Sequence, residues 1–587
     1  MIPDETADRI AHLLLTTFGS YTGEFQEITR RARHKFEERD WKGRRKDALE
    51  RLDLYDRYLE QTAAAIGQIA GGRLREKDLW IAAKHQFSAN IAGRSDEDVA
   101  ETFFSSVTRK MLSTVGIDRD VEFFHLHPKP RSTRSGESIY RSYVKNEEIA
   151  PIIKKMLGDF QFHISFENLE RDAQLVSREI DLYLWPLIRN HQQYVVDVIT
   201  SPFFRNKGAY IIGRIVTDLW TIPLIIPLAN GDRGIYVDTV LLHQSEASVV
   251  FSFAYSYFHV EIPDHSALID FLKVILPQKD IAEMYASIGY TRHGKTEFYR
   301  DLHRFVHVAR EQFVIAPGRE GAVMCVFTLP GYNFVFKVIK DRPCFVRSAV
   351  GTPKGITKPE VKSRYASIAR RDRAGRLVDT HEFENLKFKK KRFSEELLKE
   401  FALVANDSIS IEGEYVVLKH LYVQRKVLPL PMYFDSETNP ESLRSVLIDF
   451  GYFLKDLAAI GVFPGDLFNV WNYGVTQRGR VVLFDYDDVV PLEEINFLEK
   501  THPRNEYEEM SAEEDWVVAG PDDFFMDEID RYSGIPYPLK GIFKSVHGDL
   551  YTLAFWNEMK ARVKEGEIVD VIPYDRLKRF HQSDRLM

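Results

Sequence analysis

Cysteine is nearly missing from this chain: Cys325 and Cys344 are the two in 587 residues. A disulfide framework and a cysteine-based zinc site are thereby excluded, and a reducing compartment is expected. Neither cysteine opens a Cys-x5-Arg phosphatase loop, because Gly331 and Val350 stand where the arginine would be. Long hydrophobic runs are missing too. The most apolar stretch, 220–229, is interrupted by Pro223 and Pro227 and falls well short of the roughly 20 residues that cross a bilayer, so no membrane span is expected. Basic residues are not in excess: the formal net charge is -8, which argues against general nucleic-acid binding. The opening MIPDETADRI is acidic where a signal peptide would be basic. These absences point to a cytoplasmic protein without membrane or nucleic-acid partners.

What is present is ordinary soluble-protein material, 44% hydrophobic and 28% charged, long enough for about three or four folding units. From 6 to about 200 the pattern predicts helices. Ile10, Leu13, Leu14 and Phe18, then Tyr21, Phe25 and Ile28, recur at helical spacing, and amphipathic stretches cover 44–69, 78–87 and 96–112. The run Arg30, Arg31, Arg33, Lys35 reads as a solvated helix face, with an anion site as the minority reading. His125 and His127 would share one face of a strand, but no carboxylate or third histidine lies near them in sequence. Past Phe203, AYIIGRIV, TIPLIIPLA and GIYVDTVLL read as strands. The cluster Arg292, His293, Lys295 reads as exposed charge that could receive phosphate.

A second domain is predicted from about 312. FVIAPG enters a loop, AVMCVFT and FVFKVIK follow as strands, and Lys337 sits inside the last, either snorkelling to water or aimed at an anion. A charged helical region is expected over 358–385, then a basic patch over 387–392. Residues 441–460 predict an amphipathic helix with Leu443, Val446, Leu447, Phe450, Leu454 and Leu457 on one stripe, ended by Gly461. Directly after it comes FPGDLFNVWNYGVTQRGRVVLFDYDD, and then a strongly acidic, aromatic stretch over 506–530.

The order strand, glycine-containing loop, strand, strand with lysine, helix, strand, helix, Asp loop, hairpin, Asp is the two-lobed protein-kinase plan. Ala316, Pro317, Gly318, Arg319, Glu320, Gly321 and Ala322 would lay backbone N–H groups over nucleotide phosphates. Lys337 would neutralise the α- and β-phosphates; Asp466 would orient the acceptor hydroxyl; Asn472 and Asp485 would hold magnesium. Gly-x-Gly-x-x-Gly, His-Arg-Asp and Asp-Phe-Gly are absent, and APGREG, Pro-Gly-Asp and Asp-Tyr-Asp take their places. Read without relatives, Asp379 in DTHEFEN resembles a helix N-cap in a capping box.

The segments FFRNKGAYIIGRI, EASVVFSFAYSYF, YASIGYTRHGKTEFYR, EQFVIAPGREGAVMCVFTLPGYNFVFKVIKD, DTHEFEN, FPGD and GRVVLFDYDD are spread over most of the chain. In them the chain resembles the isocitrate dehydrogenase kinase/phosphatase family. The resemblance implies an α+β protein: a mainly helical regulatory domain over 1–311 with a small β region near 208–260, then a kinase-like domain over 312–587. Its N-lobe would cover about 312–427 and its C-lobe about 428–587, with a substrate-recognition segment near 500–545. One ATP site, with Mg2+ or Mn2+, would phosphorylate isocitrate dehydrogenase on serine and remove that phosphate, with ADP as a candidate participant in the removal. AMP would act as an allosteric effector, bound between the domains, and flux would switch between the tricarboxylic acid cycle and the glyoxylate bypass. A homodimer is compatible with this plan. Residue by residue, 316–322 match the ATP loop, Lys337 the ATP lysine, Asp379 the phosphatase aspartate, Asp466 the kinase-loop aspartate, and Asp485 with Asp487 the metal pair.

One departure stands out. The family loop runs Gly-Asp-Met-Leu-(Phe/Trp)-Lys-Asn-Phe-Gly-Val; here Asn472 comes six residues after Asp466, and the loop lysine is absent. Counted back from Gly474-Val475, Asn472 is the aligned metal ligand, with Asn469 as its competitor. This spacing sustains an alternative reading, a kinase-like sensor that binds ATP or AMP and scaffolds its partner without phosphoryl transfer.

Overall fold

The computed structural model describes the chain apart from residues 1–3, 127–137, 146–147, 188–192, 253–254, 319, 346–353, 466, 468–469, 500–521, 527–528, 530–533 and 581–587. The candidates His127, Arg319, Asp466 and Asn469, and most of the acidic stretch, lie outside the described residues. Two compact units emerge: Met1–Arg310 together with Ile572–Met587, and Glu311–Val571. The described part contains no helix long and apolar enough to cross a membrane.

The first unit opens with helices α1 (Glu5–Glu37), α2 (Trp41–Ala70), α3 (Lys77–Ile91) and α4 (Glu97–Leu112). Asp4 caps α1 by accepting from the N–H groups of Thr6 and Ala7. Ile10, Leu14, Phe18, Tyr21, Phe25 and Ile28 are all buried, in the stripe their spacing predicts. The basic run of α1 departs from expectation. Lys35 meets Asp47 of α2 at 2.8 Å, Arg31 reaches Asp47 and Glu50, and Arg33 donates to the Phe160 carbonyl at 2.8 Å, so three of the four tie elements together.

The helical expectation up to about 200 also needs correction. Strand β1 (Tyr140–Lys145), helices α5 (Ala150–Gly158) and α6 (Leu169–Leu184), and strand β2 (Tyr194–Ile199) fall inside that stretch. They join β3 (Phe203–Arg205), β4 (Gly208–Val216), β5 (Thr221–Gly231) and β6 (Gly234–Val237) in one antiparallel sheet, ordered β1-β2-β4-β5-β6 with β3 on β4. Both faces of the sheet are covered. Ile211 and Ile215 of β4 pack with Val176 and Ile180 of α6, while Tyr210 and Ile212 face the other core. That second core is completed by α7 (Gln244–Val250), α8 (His265–Ile275) and α9 (Ile281–Ser287), and α10 (Thr291–Val308) ends the segment. His293 of α10, expected to be exposed, is buried: its Nε2 lies 3.3 Å from Asp98 of α4, which also meets His265 and the Tyr285 hydroxyl. Residues 572–580, expected at the end of the second domain, instead complete the first unit. There Tyr574 and Arg579 both bind the buried Asp238, at 2.5 and 2.8 Å.

The second unit starts with β7 (Val314–Ile315), β8 (Met324–Thr328), β9 (Phe334–Ile339), a hairpin of β10 (Cys344–Phe345) and β11 (Lys354–Gly355), and helix α11 (Lys358–Arg371). Then come β12 (Thr380–Lys389), α12 (Glu395–Val404), β13 (Ile409–Glu412) and β14 (Tyr415–Arg425). The antiparallel sheet runs β12-β14-β9-β8-β7, with β13 on β14. The helix expected over 358–385 therefore ends at Arg371, and DTHEFEN is strand. The rest is β15 (Leu428–Pro429), α13 (Leu430–Ser436), α14 (Pro440–Ala459), β16 (Val462–Pro464), β17 (Tyr473–Val475), β18 (Val481–Leu483), β19 (Val489–Pro491), β20 (Asn496–Leu498), β21 (Asp523–Phe525), α15 (Tyr537–His547) and α16 (Leu553–Lys564). Helix α14 buries Val446, Leu447, Phe450, Leu454 and Leu457, and Gly461 at φ 73° turns the chain out of it. From the segment before β12, Arg376 forks onto Asp449 of α14 at 2.7 and 2.9 Å and reaches Asp456 at 2.8 Å.

Candidate active site

Lys337 lies mid-strand in β9, paired on one side with Val326 of β8 and on the other with Tyr422 of β14. A central strand leaves its side chain no route to water, and Lys337 is buried at 4% exposure. The ammonium donates to the Phe484 carbonyl at 2.7 Å, one residue before Asp485. Burial lowers the Lys337 pKa, and Asp485 and Asp487 oppose that shift. The snorkelling alternative is thus excluded; the lysine points at the two aspartates.

Asp485-Tyr486-Asp487 is held from behind. Tyr486 is fully buried and its hydroxyl donates to the Val378 carbonyl. Tyr365 of α11 stacks on Tyr422 with ring centroids 4.9 Å apart, and its hydroxyl stands 3.4 Å from Asp485 Oδ1. The Asp487 carboxyl is pushed well above the ordinary range, first by burial and then by Asp485, with Lys337 pulling the other way. Its Oδ1 is buried and has no hydrogen-bond partner among the described residues. Two neighbouring carboxylates thus face one lysine, with the Arg364 guanidinium on the Asp487 backbone carbonyl. Oxygen donors of this kind suit a hard divalent cation, so the residues present fit magnesium or manganese. Among the described residues no three His, Cys, Asp or Glu side chains gather for a metal, so further ligands would be amide, water or phosphate oxygens.

Asn472 lies beside the pair. It is buried at 7% exposure in the turn before β17, and its carbonyl accepts the Phe484 N–H at 3.1 Å. The residue preceding Asp466 is equally close. Gly465 donates its N–H to the Asp488 carbonyl at 2.8 Å, and a Cβ on Gly465 would sit 2.2 Å from that oxygen. Only glycine permits that approach. Gly465 therefore packs against the backbone that directly follows Asp487.

Asp379 arrives by a different route. Leu377 bridges Leu483 in parallel, with Val378 N–H to the Leu483 carbonyl at 2.9 Å and Leu483 N–H to the Arg376 carbonyl at 2.7 Å. The Tyr486 hydroxyl, donating to the Val378 carbonyl, ties the residue before Asp379 to the Asp485-Tyr486-Asp487 segment. Its carboxylate lies 3.2 Å from His381 Nε2 and is 29% exposed, and it precedes a strand, so the capping-box reading does not hold. Sequence reasoning missed His381 and Tyr365; the alternation in Thr-His-Glu-Phe pointed to the former, and nothing local pointed to the latter.

The loop 316–322 spans β7 and β8. Ala316 N–H donates to the Val326 carbonyl at 3.0 Å, Gly318 adopts φ 126°, and a Cβ on Gly321 would meet the Met324 carbonyl at 2.8 Å. Pro317, Gly318, Glu320 and Ala322 are exposed, and Glu320 pairs with Lys340 at 2.7 Å. Cys325 on β8 is buried and its thiol is pushed up to about 12, which removes it as a nucleophile.

Comparison with known proteins identifies the family of the chain. The family description "Isocitrate dehydrogenase kinase/phosphatase (AceK), regulatory domain" matches residues 11–310, and "Isocitrate dehydrogenase kinase/phosphatase (AceK) kinase domain" matches residues 311–576. A protein named isocitrate dehydrogenase kinase/phosphatase from Anaeromyxobacter sp. (strain Fw109-5) is 39% identical over 579 residues, covering 98% of this chain and 99% of its own. Its namesake from Pectobacterium atrosepticum is 34% identical over 577 residues, covering 98% and 95%. The chain belongs to the isocitrate dehydrogenase kinase/phosphatase family, with a helical N-terminal region followed by a kinase domain.

Proposed function

We propose that this protein phosphorylates a serine of isocitrate dehydrogenase with ATP and removes that phosphate at the same site, in the cytoplasm. The observation that carries the reading is the cluster of the buried Lys337 with Asp485 and Asp487, whose Oδ1 lacks a partner among the described residues, beside Asn472. Asp485 and Asp487, with Asn472, would hold the divalent metal, whose positive charge offsets that of the nucleotide phosphates. Lys337 orients the α- and β-phosphates, and the 316–322 loop presents backbone N–H groups above them. Asp466 positions the acceptor hydroxyl. Asp379, steadied by His381, orients a water on the phosphoserine in the reverse direction. ADP participates in that reverse reaction, AMP shifts the balance between the two, and the outcome sets flux between the tricarboxylic acid cycle and the glyoxylate bypass.

The test is transfer from labelled ATP to isocitrate dehydrogenase and release from the labelled product. Asp466→Ala should abolish labelling, and Asp379→Ala should slow release more than labelling. Equal loss of both activities in Asp379→Ala counts against its dedicated role. The absent loop lysine and the long Asp466-to-Asn472 spacing favour one second reading, the non-catalytic sensor. Nucleotide binding without transfer in either direction would establish it.

A further inference from the structure

Behind the aspartate pair, within the second unit, a cavity of 440 Å3 opens between one face of α11 and the paired strands β16 and β19. That size lies in the usual range for small-molecule sites. Val462, Val489, Val490 and Ile368 give it an apolar floor. Its polar wall is mixed in an orderly way: Arg364 and Arg371 supply two cations, Glu360 and Glu494 two carboxylates. Protein contacts fix three of these side chains. Arg364 donates to the Asp487 carbonyl, Arg371 donates to the Gly461 carbonyl at 2.9 Å, and Glu360 accepts from Thr357 in a capping box.

A simple anion would satisfy the arginines and oppose the glutamates; a simple cation would do the reverse. A molecule with one charge of each sign and an apolar body answers all three features together. We propose that this cavity binds a free α-amino acid with a large apolar side chain, its carboxylate on Arg364 and Arg371 and its ammonium on Glu360 and Glu494. Ser363 and Ser367, at the same wall, stand about two helical turns and one turn before Arg371 on α11 and add hydroxyls beside the charged groups. Helix α11 is shared with the candidate active site. It carries Tyr365, 3.4 Å from Asp485, and Arg364, bonded to the Asp487 backbone. An occupant seated on α11 is therefore linked to nucleotide binding, and this coupling alone rests on the function proposed above.

Calorimetric titration of the full-length protein with L-phenylalanine tests the site. One saturable event is expected. 3-Phenylpropionate, which lacks the ammonium, and phenethylamine, which lacks the carboxylate, should each bind about tenfold more weakly or worse. Ser367→Trp, which fills the cavity, should abolish binding, and Glu494→Gln, an exposed and mild change, should weaken it about tenfold. No heat with L-phenylalanine, equal binding by the two analogues, or wild-type binding by both variants would overturn the site. Bound L-phenylalanine should also shift the dissociation constant for manganese–ADP by about fivefold. An unchanged constant, with L-phenylalanine bound, would overturn the coupling and leave the phosphotransfer reading untouched.

Discussion

The second unit holds two groups in which a buried cation meets two aspartates, Arg376 with Asp449 and Asp456 (Arg480 standing close by) and Lys337 with Asp485 and Asp487, and finishes them in opposite ways. Around Arg376, three side-chain bonds of 2.7 to 2.9 Å join the guanidinium to Asp449 and Asp456. Burial would raise the Asp449 pKa, but Arg376 outweighs it and the carboxyl falls below its ordinary value. The Arg376 pKa is raised against its own burial. Around Lys337 the shifts reverse: the lysine goes down, Asp487 goes up, and Asp487 Oδ1 has no partner among the described residues. Geometry decides the difference. The planar guanidinium fork meets both carboxylates at once, whereas the Lys337 ammonium is spent on a backbone carbonyl. The first group holds α14 to the segment before β12; the second is where a divalent cation would fit.

Breaking each group should therefore do different damage. Arg376→Met removes the guanidinium that bridges Asp449 and the buried Asp456 and is expected to cost about 3–5 kcal/mol of stability, read in a denaturant melt. Lys337→Met should lower phosphoryl transfer about a hundredfold, about 3 kcal/mol, while the melting midpoint stays level or rises, because the lost charge was itself costly to bury.

The pH dependence should also differ in sign. In metal-free protein Asp487 keeps its proton to a higher pH than an unfolded aspartate does. Its contribution to stability is therefore full below the ordinary carboxylate range and falls as pH rises above it. Asp449 behaves oppositely: its contribution is intact above the ordinary value of 3.8 and is lost as pH falls below it. Asp487→Asn should flatten the first slope in metal-free melts and leave the second in place.

Much of this site could be read from the sequence because its parts are local. The stripe of α14, the lysine within FVFKVIK and the Asp-Tyr-Asp after an apolar strand each show in a short window. Asp379 could not be read that way. In β12, His381 and Phe383 are buried, but Asn385 adopts φ 54°, and the buried positions then resume at Leu386 and Phe388. The inverted alternation leaves a three-residue spacing, Phe383 to Leu386, that imitates a helix. Arg376 was invisible for another reason: its partners lie 73 and 80 residues away. In the first unit β4, β5 and β6 were legible as apolar runs, whereas β1 and β2 hid in the same manner as Arg376, since they pair across two helices.

The central contrast, a finished ion group against one where a divalent cation would fit, is tested most directly by counting bound Mn2+ with electron paramagnetic resonance in the presence of ADP. Wild type and Asp456→Asn, compared at a temperature where both are folded, should bind the ion alike, while Asp487→Asn should lose it. Undiminished Mn2+ binding by Asp487→Asn would contradict the assignment of this cluster as the metal site.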